Sequence, residues 1–321
     1  MSREGEQKQM QSLGMLKRCR WQAEALLFRA GTFLFALIPA FLIPSIGSAL
    51  GWIGFRILGS RRKVALDGVR QALPCLPAGS DPVRIARDCF INLGTSFLEN
   101  CKLYHGFSGI LDNVTIEGLE HYRKAQAQGK GVMFLTGHCG NWEFIALTFG
   151  HRHDPFTVMV REQKNPYLTR CIEEMRTSYG NTIIYKKNAL REMMRVLRKN
   201  GVTGMLIDQA VMPAEGYQVE FLGRLAWTTS MPVLMARKTG AALLPAFINR
   251  EAGGHRIVIH PAVEFSTDEV TDEALCRDTA ILTRYVDDFV RSHPSQWYWV
   301  HRRWKSREAV TAGHSPLPAG V

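Results

Sequence analysis

The order of apolar and polar residues predicts two kinds of element along most of the chain. From residue 114 onward, short apolar runs alternate with stretches whose apolar positions recur every three or four residues. The first pattern is typical of buried β-strands and the second of amphipathic helices. Strands alternating with helices predict an α/β fold with a mixed, mostly parallel central sheet flanked by helices.

Individual elements can be placed from this pattern. Asp81-Pro82 has the sequence of a helix N-terminus, and a helix over 82–104 is predicted to follow it. Further strands are predicted at 114–117, 132–136, 157–160, 202–207, 242–248 and 256–260. Further helices are predicted at 119–128, from within 141–148, from 166 to about 179, across 190–197 with an end at Gly201, and at 272–291.

The N-terminal part carries an uncharged stretch at residues 30–55. It exceeds the roughly 20 helical residues needed to cross a bilayer. Pro39 and Pro44 lie within it and would kink or break a helix. Three interpretations stay open: a transmembrane anchor, an interfacial or re-entrant hairpin, or a buried helix pair in a soluble protein. We therefore expect an N-terminal hydrophobic anchoring segment at 1–60, an α/β domain at 61–305 and a flexible tail at 306–321.

The charge of the chain narrows the class of partner. Forty Lys and Arg residues against 29 Asp and Glu leave a net charge of +11, which favours an anionic partner. Basic residues flank the uncharged stretch, as at Lys17-Arg18 before it and Arg61-Arg62-Lys63 after it. This placement favours a membrane surface, and the sequence shows no zinc-finger or RNA-binding motif. We expect a membrane partner and no nucleic acid.

Several common chemistries lack their sequence signatures. The seven cysteines include no CxxC pair, so neither a disulfide framework nor a structural zinc site is expected. The chain has no GxSxG, P-loop, GxGxxG or HExxH motif. His151 and His153 form an HxH without a carboxylate or third histidine at a useful spacing, which argues against a metal site there.

One segment, residues 136–143 (Thr-Gly-His-Cys-Gly-Asn-Trp-Glu), combines reactive side chains with a turn after a buried strand. We expect the turn to bring the Glu143 carboxylate to the His138 ring. A carboxylate on one ring nitrogen fixes the tautomer and leaves the other nitrogen as a base. The pair would resemble a serine-protease triad without its serine, which suits a substrate that supplies its own hydroxyl. Two alternatives remain: a chance spacing, or Cys139 as a nucleophile.

This segment and several later ones together resemble the late acyltransferases of lipid A biosynthesis, within the lysophospholipid acyltransferase superfamily. The family signature is a histidine, four residues, then Asp or Glu, here His138 and Glu143. Other matching segments, in the order of the family, are Val160-Arg161 with Asn165-Pro166, Asp208-Gln209, residues 221–224 (Phe-Leu-Gly-Arg) with Thr228, Pro245, and the closing run from Pro294 to Lys305. The resemblance extends from about residue 28 to 305.

The resemblance implies an acyl thioester donor, usually acyl-carrier protein, and the hydroxyl of an anionic lipid A precursor as acceptor. It implies catalysis by His138 and Glu143, an inner-membrane location on the cytoplasmic face, and neither metal nor organic cofactor. Arg161, Asp208, Gly140 and Asn141 are implied as substrate-binding residues. Arg161 could stabilise an oxyanion, bind a phosphate or pair with Glu162 or Asp208.

Two other functions stay compatible with these residues. The chain could acylate another lipid, such as a glycerolipid, an ornithine lipid or a different glycolipid. It could also be a non-catalytic lipid-binding membrane protein that retains the motif.

Overall fold

The computed structural model describes residues 14–160, 163–185, 189–265 and 270–304. The described α-helices are α1 (Met15–Ala36), α2 (Ile43–Ile57), α3 (Gly59–Ala72), α4 (Pro82–Tyr104), α5 (Leu119–Gln126), α6 (Glu143–Arg152), α7 (Pro166–Arg176), α8 (Ala189–Arg198), α9 (Met231–Thr239) and α10 (Asp272–Ser292). The described strands are β1 (Val114–Glu117), β2 (Val132–Thr136), β3 (Phe156–Val160), β4 (Thr182–Tyr185), β5 (Val202–Leu206), β6 (Gly216–Phe221), β7 (Arg224–Thr229), β8 (Ala242–Glu251) and β9 (Gly254–Ile259). The predicted tail at 306–321 lies outside the described residues.

The central sheet has the mixed, mostly parallel character that the sequence predicts. Within the described residues it contains seven strands in the order β1-β9-β8-β2-β5-β3-β4. Neighbours pair in parallel except β8 and β9, which form an antiparallel hairpin. β6 and β7 form a separate antiparallel hairpin. The predicted fold class is therefore confirmed.

Helices cover both faces of this sheet. On one face, α5 and α6 pack on residues such as Phe134 and Phe156. On the other, α8, α9 and α10 contribute to a larger core with residues such as Met133 and Leu135. Phe134 and Leu135 belong to opposite cores because successive side chains of a strand point to opposite faces.

Local signals explain where the prediction was accurate. The Asp81 side chain accepts a hydrogen bond from the Val83 N–H at 2.9 Å, and α4 begins at Pro82 as predicted. The bounds of β1 and β2 are also confirmed. Two parts of the fold were not predicted from the sequence. Strand β4 is short and largely half-buried, so its apolar pattern is weak. The β6–β7 hairpin was missed although burial along β6 alternates with the period of two that is typical of a strand.

The uncharged N-terminal stretch is not one continuous helix. α1 ends at Ala36, the helical conformation is interrupted at Pro39, and α2 begins at Ile43. The backbone of α2 lies directly on α4, since a Cβ at Gly94 would fall 2.4 Å from the Gly47 carbonyl oxygen. Within the described part of the chain, one stretch, Ala40–Ile57, is long and apolar enough to span a membrane, and 22% of it is buried. Core helices and signal sequences can satisfy the same criteria.

Candidate active site

The sheet register brings together two residues that are far apart in sequence. β2 pairs in parallel with β5, and Thr136 lies opposite Leu206. His138 and Asp208 each lie two residues beyond this pair, at the carboxyl ends of adjacent strands. Parallel α/β sheets commonly place reactive groups at these strand ends.

The side chains of His138 and Asp208 form a close pair. His138 Nδ1 lies 2.8 Å from Asp208 Oδ1, and the His138 backbone N–H donates to Asp208 Oδ2 at 2.9 Å. Trp297 Nε1 donates to the same Oδ2 at 2.8 Å. Burial raises the pKa of Asp208, but the His138 charge and these hydrogen bonds outweigh it and lower the pKa to about 2. Asp208 is therefore a carboxylate that holds the proton of His138 on Nδ1.

The second ring nitrogen of His138 is left with a lone pair. Nε2 lies 3.3 Å from the side-chain nitrogen of Gln209, which donates to it in this tautomer. Burial lowers the pKa of His138, but the charge of Asp208 and its hydrogen bond raise it by more, so that it exceeds 6.5. The ring has the arrangement of a general base.

Glu143 is not in the contact that the sequence predicted for it. Asp208, and not Glu143, forms the hydrogen bond to the imidazole. The Glu143 carboxylate instead accepts from Arg176, at 3.0 Å from Nε and through a second contact with Nη2. Glu143 is the first residue of α6 and Arg176 the last of α7, so two helix ends meet at this ion pair. Glu143 still helps raise the pKa of His138 through its charge.

An apolar cavity of about 290 Å³ adjoins these groups. Its polar lining consists mainly of His138, Glu143 and Arg176. The remainder comes largely from apolar side chains of α6 and the ends of β2, β3 and β5: Phe134, Trp142, Ile145, Ala146, Leu147, Phe156, Val158, Met159, Val160, Met205 and Leu206, with Gly204 among them. A few polar groups in an apolar cavity are typical of a small-molecule or acyl-chain site.

The C-terminal segment covers the histidine. The Tyr298 backbone N–H donates to the His138 carbonyl oxygen at 3.1 Å, and the Tyr298 ring lies 5.6 Å from the imidazole between centroids. Trp142 lies 4.9 Å from the same ring. The tryptophan-rich closing run thus builds one wall of the site, whereas its Arg303 is buried and donates to Thr228 and the Trp227 carbonyl.

Cys139 has no access to substrate in this arrangement. Its side chain is fully buried, and burial with the nearby Asp208 charge raises the pKa of its thiol well above 9.0. A thiol in that state is a poor nucleophile, because the thiolate is the reactive form.

Three other residues were predicted to bind substrate: Gly140, Asn141 and Arg161. The Gly140 N–H is already committed to the Gln296 carbonyl at 2.8 Å, and Asn141 is buried with its side-chain amide donating to Glu99. Arg161 lies outside the described residues. Four further residues belong to the site and were not predicted from the sequence: Arg176, Trp297, Tyr298 and Glu99. For Trp297 and Tyr298 the signal was present in the closing motif.

Among the residues that the structure describes, His151 and His153 do not come together with a third ligand. Each lies against an aromatic ring, His151 at 4.7 Å from Tyr179 and His153 at 5.2 Å from Phe149. Across the described residues, no group of three or more His, Cys, Asp or Glu side chains is arranged to hold a metal ion.

Comparisons with known proteins relate the chain to one family of acyltransferases. A family model described as bacterial lipid A biosynthesis acyltransferase matches residues 14–306. The chain is 28% identical over 198 residues to a phosphatidylinositol mannoside acyltransferase of Mycobacterium tuberculosis, covering 60% of each chain. It is 24% identical over 283 residues to the lipid A biosynthesis palmitoleoyltransferase of Escherichia coli, covering 86% of this chain and 89% of the relative. The E. coli lauroyltransferase is also 24% identical, over 280 residues, with the same coverage.

Proposed function

The chain belongs to the bacterial lipid A biosynthesis acyltransferase family, and from this premise we propose that it transfers a fatty acyl chain from a thioester to a hydroxyl of a lipid A precursor. The observation that carries the proposal is the His138–Asp208 pair, whose His138 lines an apolar cavity. A base beside an apolar cavity suits a reaction between a hydroxyl and a fatty acyl group.

In the proposed reaction His138 acts as the base. Nε2 takes the proton of the acceptor hydroxyl, and the oxygen attacks the thioester carbonyl carbon to form the new C–O bond. The C–S bond then breaks, and the thiolate leaves as a thiol with the proton returned by His138. Asp208 fixes the tautomer and stabilises the imidazolium, as a carboxylate does in a catalytic triad.

The Glu143–Arg176 ion pair supplies the charge that this reaction needs next. Attack on the thioester places negative charge on the carbonyl oxygen, which requires hydrogen-bond donors about 3 Å away. The Gly140 N–H is used by Gln296, whereas the Arg176 side chain lines the cavity, so we assign this role to Arg176. Glu143 acts by holding the guanidinium through Nε and Nη2.

No covalent acyl-enzyme is part of the proposal. The buried Cys139 thiol supports direct attack by the acceptor, with donor and acceptor bound in one ternary complex. We expect Cys139→Ala to keep substantial activity, and intact mass spectrometry to show no acyl group on the protein after incubation with donor alone. Ping-pong kinetics with a thioester on Cys139 would contradict direct transfer.

Association with a membrane is supported by exposed apolar side chains near the N-terminus. Most of the large exposed apolar residues in the described chain lie between residues 15 and 58, and the most exposed are Met15, Leu16, Leu26, Leu27, Leu34, Phe41 and Ile57. A soluble monomer rarely exposes so much apolar surface in one region. We propose that this region docks the protein on the cytoplasmic face of the inner membrane.

Point charges test the membrane contact better than deletion of residues 1–60, because deletion would strip α2 from α4. Leu34 is 68% exposed and Phe41 is 78% exposed, so Leu34→Glu with Phe41→Glu should leave the fold intact and release protein from the membrane pellet. Leu225→Glu, at a residue 64% exposed outside this region, is the matched control. A double variant that still resists high salt and carbonate would place the anchor elsewhere.

The net charge of +11 suits both proposed partners, since acyl-carrier protein is acidic and lipid A precursors carry phosphates. A second acceptor class is tested as well, because the mycobacterial relative is named a phosphatidylinositol mannoside acyltransferase. The alignment spans about 60% of that relative's length.

Mass spectrometry of lipid products decides the acceptor. Purified protein is given an acyl-carrier-protein thioester with a lipid A precursor, a phosphatidylinositol mannoside or a lysophospholipid in parallel. We expect acylated lipid A precursor with the native protein and at least about 10²-fold less with His138→Gln, and the same product missing from cells without the gene. If only another lipid is acylated, that lipid is the acceptor and the proposed lipid A precursor is wrong. If no donor–acceptor pair gives product, the alternative of a non-catalytic lipid-binding protein is favoured.

A further inference from the structure

The loop that carries His138 is held from behind by α4. The buried Asn141 side chain donates from Nδ2 to Glu99 Oε2 at 2.9 Å. One residue earlier, the Gly140 carbonyl accepts from Asn92 Nδ2 at 3.1 Å. Glu99 and Asn92 lie on α4, so one helix fixes two successive residues of the loop, two and three positions after His138.

Arg250 of β8 in turn fixes these two α4 side chains. Its Nη2 donates to Glu99 Oε2 at 2.9 Å and to Ser96 Oγ at 3.0 Å, and its Nε donates to Asn92 Oδ1 at 3.2 Å. Arg250 Nη1 also bonds Glu99 Oε1. His255 Nε2 lies 3.0 Å from the same oxygen. Both oxygens of the buried carboxylate are therefore engaged.

The C-terminal segment closes this arrangement into a ring. The Gln296 side chain bonds both backbone groups of Arg250, accepting at 2.7 Å and donating at 3.0 Å. The Gln296 carbonyl accepts from the Gly140 N–H at 2.8 Å. Gly140 has a φ of +54°, and a Cβ there would fall 2.3 Å from the Ile248 carbonyl oxygen of β8. The loop has almost no freedom on this side.

The placement of the Glu99–Arg250 pair suggests what the ring is for. Replacing a buried ion pair by apolar side chains is often neutral or stabilising, so such a pair is weak evidence for a stabilising role alone. This pair lies against the loop that presents His138 to Asp208 and to the cavity. A base displaced by about 1 Å can lose about 10²-fold in rate, so rigidity at this point matters.

We propose that Glu99, Arg250, Asn92 and Asn141 form a positioning network that sets the His138 loop, and that Asn141 acts through this network rather than by binding substrate. The inference rests on the proposed acyl transfer, because the network has a catalytic consequence only if His138 is the base. None of the four residues is required to contact substrate.

Two variants test this network against a matched buried ion pair. Glu99→Gln removes the charge that pairs with Arg250, and Asn141→Ala removes only one hydrogen bond to the loop. Asp278→Asn is the control, since Asp278 pairs with Arg237 between α10 and α9 with side chains 0% and 3% exposed and takes no part in the loop. Each protein is assayed for kcat, for KM of donor and acceptor, and for resistance to urea.

We expect Glu99→Gln and Asn141→Ala to lower kcat by about 10-fold or more, with both KM values within about threefold of native. Asp278→Asn should lose at least as much stability and keep its kcat. Native kcat in folded Glu99→Gln and Asn141→Ala proteins would overturn the inference. Equal loss of kcat in all three, in proportion to stability, would overturn it as well.

A measurement without substrate separates this inference from the proposed function. Nuclear magnetic resonance of the His138 ring reports its pKa, which depends on contact with Asp208. A loosened loop should lower this pKa in Glu99→Gln and Asn141→Ala but not in Asp278→Asn. If the pKa shifts while the native protein acylates nothing, the positioning network stands and the proposed function fails. An unshifted pKa in both loop variants refutes the network.

Discussion

Two carboxylate–histidine pairs lie on opposite sides of the loop that carries His138, and only one of them is proposed to act as a base. Asp208 lies 2.8 Å from His138 on one side, and Glu99 lies 3.0 Å from His255 on the other. Both carboxylates are buried, and the pKa of each is lowered to about 2, because favourable partners outweigh the effect of burial. Acidity and hydrogen bonding therefore do not distinguish the two pairs.

Access and charge balance do distinguish them. The His138 side chain is 21% exposed and lines the apolar cavity, whereas His255 borders a different cavity and is only 3% exposed. Glu99 is also neutralised by Arg250, while the Asp208 charge falls on His138 and raises its pKa. A carboxylate–histidine pair becomes a base only where the free ring nitrogen reaches substrate and the carboxylate is not already balanced by an arginine.

The largest expected difference between the two pairs comes from replacing each histidine by glutamine. His138→Gln should lower kcat/KM by about 10²- to 10⁴-fold, the contribution of a positioned general base. His255→Gln should lose less than about 10-fold, because glutamine can still donate to Glu99 and Arg250 remains. Steady-state rates on folded proteins measure both. Near-normal turnover in His138→Gln would remove the distinction and the mechanism with it.

Replacing Asp208, the carboxylate of the His138 pair, should change both the rate of acyl transfer and its dependence on pH. We expect Asp208→Asn to lower kcat by about 10²-fold. A base works when neutral, so native activity should fall as pH decreases through a value above 6.5, the ordinary pKa of histidine. Without the Asp208 charge and hydrogen bond, burial is the largest effect on His138 and lowers its pKa, and the opposed Glu143 and Arg176 charges are smaller effects, so this acid limb should move to lower pH. A profile of kcat/KM against pH with an unmoved limb would contradict the assignment.

The His138–Asp208 pair adjoins the apolar cavity of about 290 Å³, and Gly204 controls the width of that cavity. A Cβ at Gly204 would fall 2.8 Å from a Phe156 ring carbon on the cavity wall. Gly204→Ala should therefore shift preference toward shorter acyl donors by about 10-fold, near the effect of one or two methylenes in an apolar pocket. Thr203→Val, with its side chain on the opposite sheet face, is the control. Unchanged relative kcat/KM across donor lengths would show that the acyl chain lies elsewhere.

The smallest expected effect concerns stability in acid. The pKa of Glu99 is about 2 in the folded protein against 4.5 for the ordinary group, so its contribution to stability is fully present above 4.5 and is lost as pH falls toward 2. Lowering pH to about 3.5 should remove about 1 kcal/mol of this contribution. Urea unfolding across this range should therefore show a shallower pH slope in Glu99→Gln than in the native protein. Identical slopes would mean that the buried carboxylate titrates normally.

Local patterns predicted much of the fold and only part of the site. The bounds of α4, β1 and β2 follow from a cap and from apolar periodicity, which act over a few residues. The position of His138 just after β2 follows from the same apolar pattern. The N-terminal stretch was less predictable, because Pro39 breaks the helix while the packing of α2 on α4 depends on distant Gly94.

The sequence by itself determined that a histidine follows a buried strand of an α/β sheet, in a motif shared with a family of lipid acyltransferases. Only the tertiary structure decided which carboxylate serves that histidine. Glu143 is five residues away but turns to Arg176, whereas Asp208 is 70 residues away and touches the ring. Periodicity specifies each strand but not its neighbours. Asp208 reaches His138 because β5 pairs beside β2, although β3 and β4 lie between them in sequence.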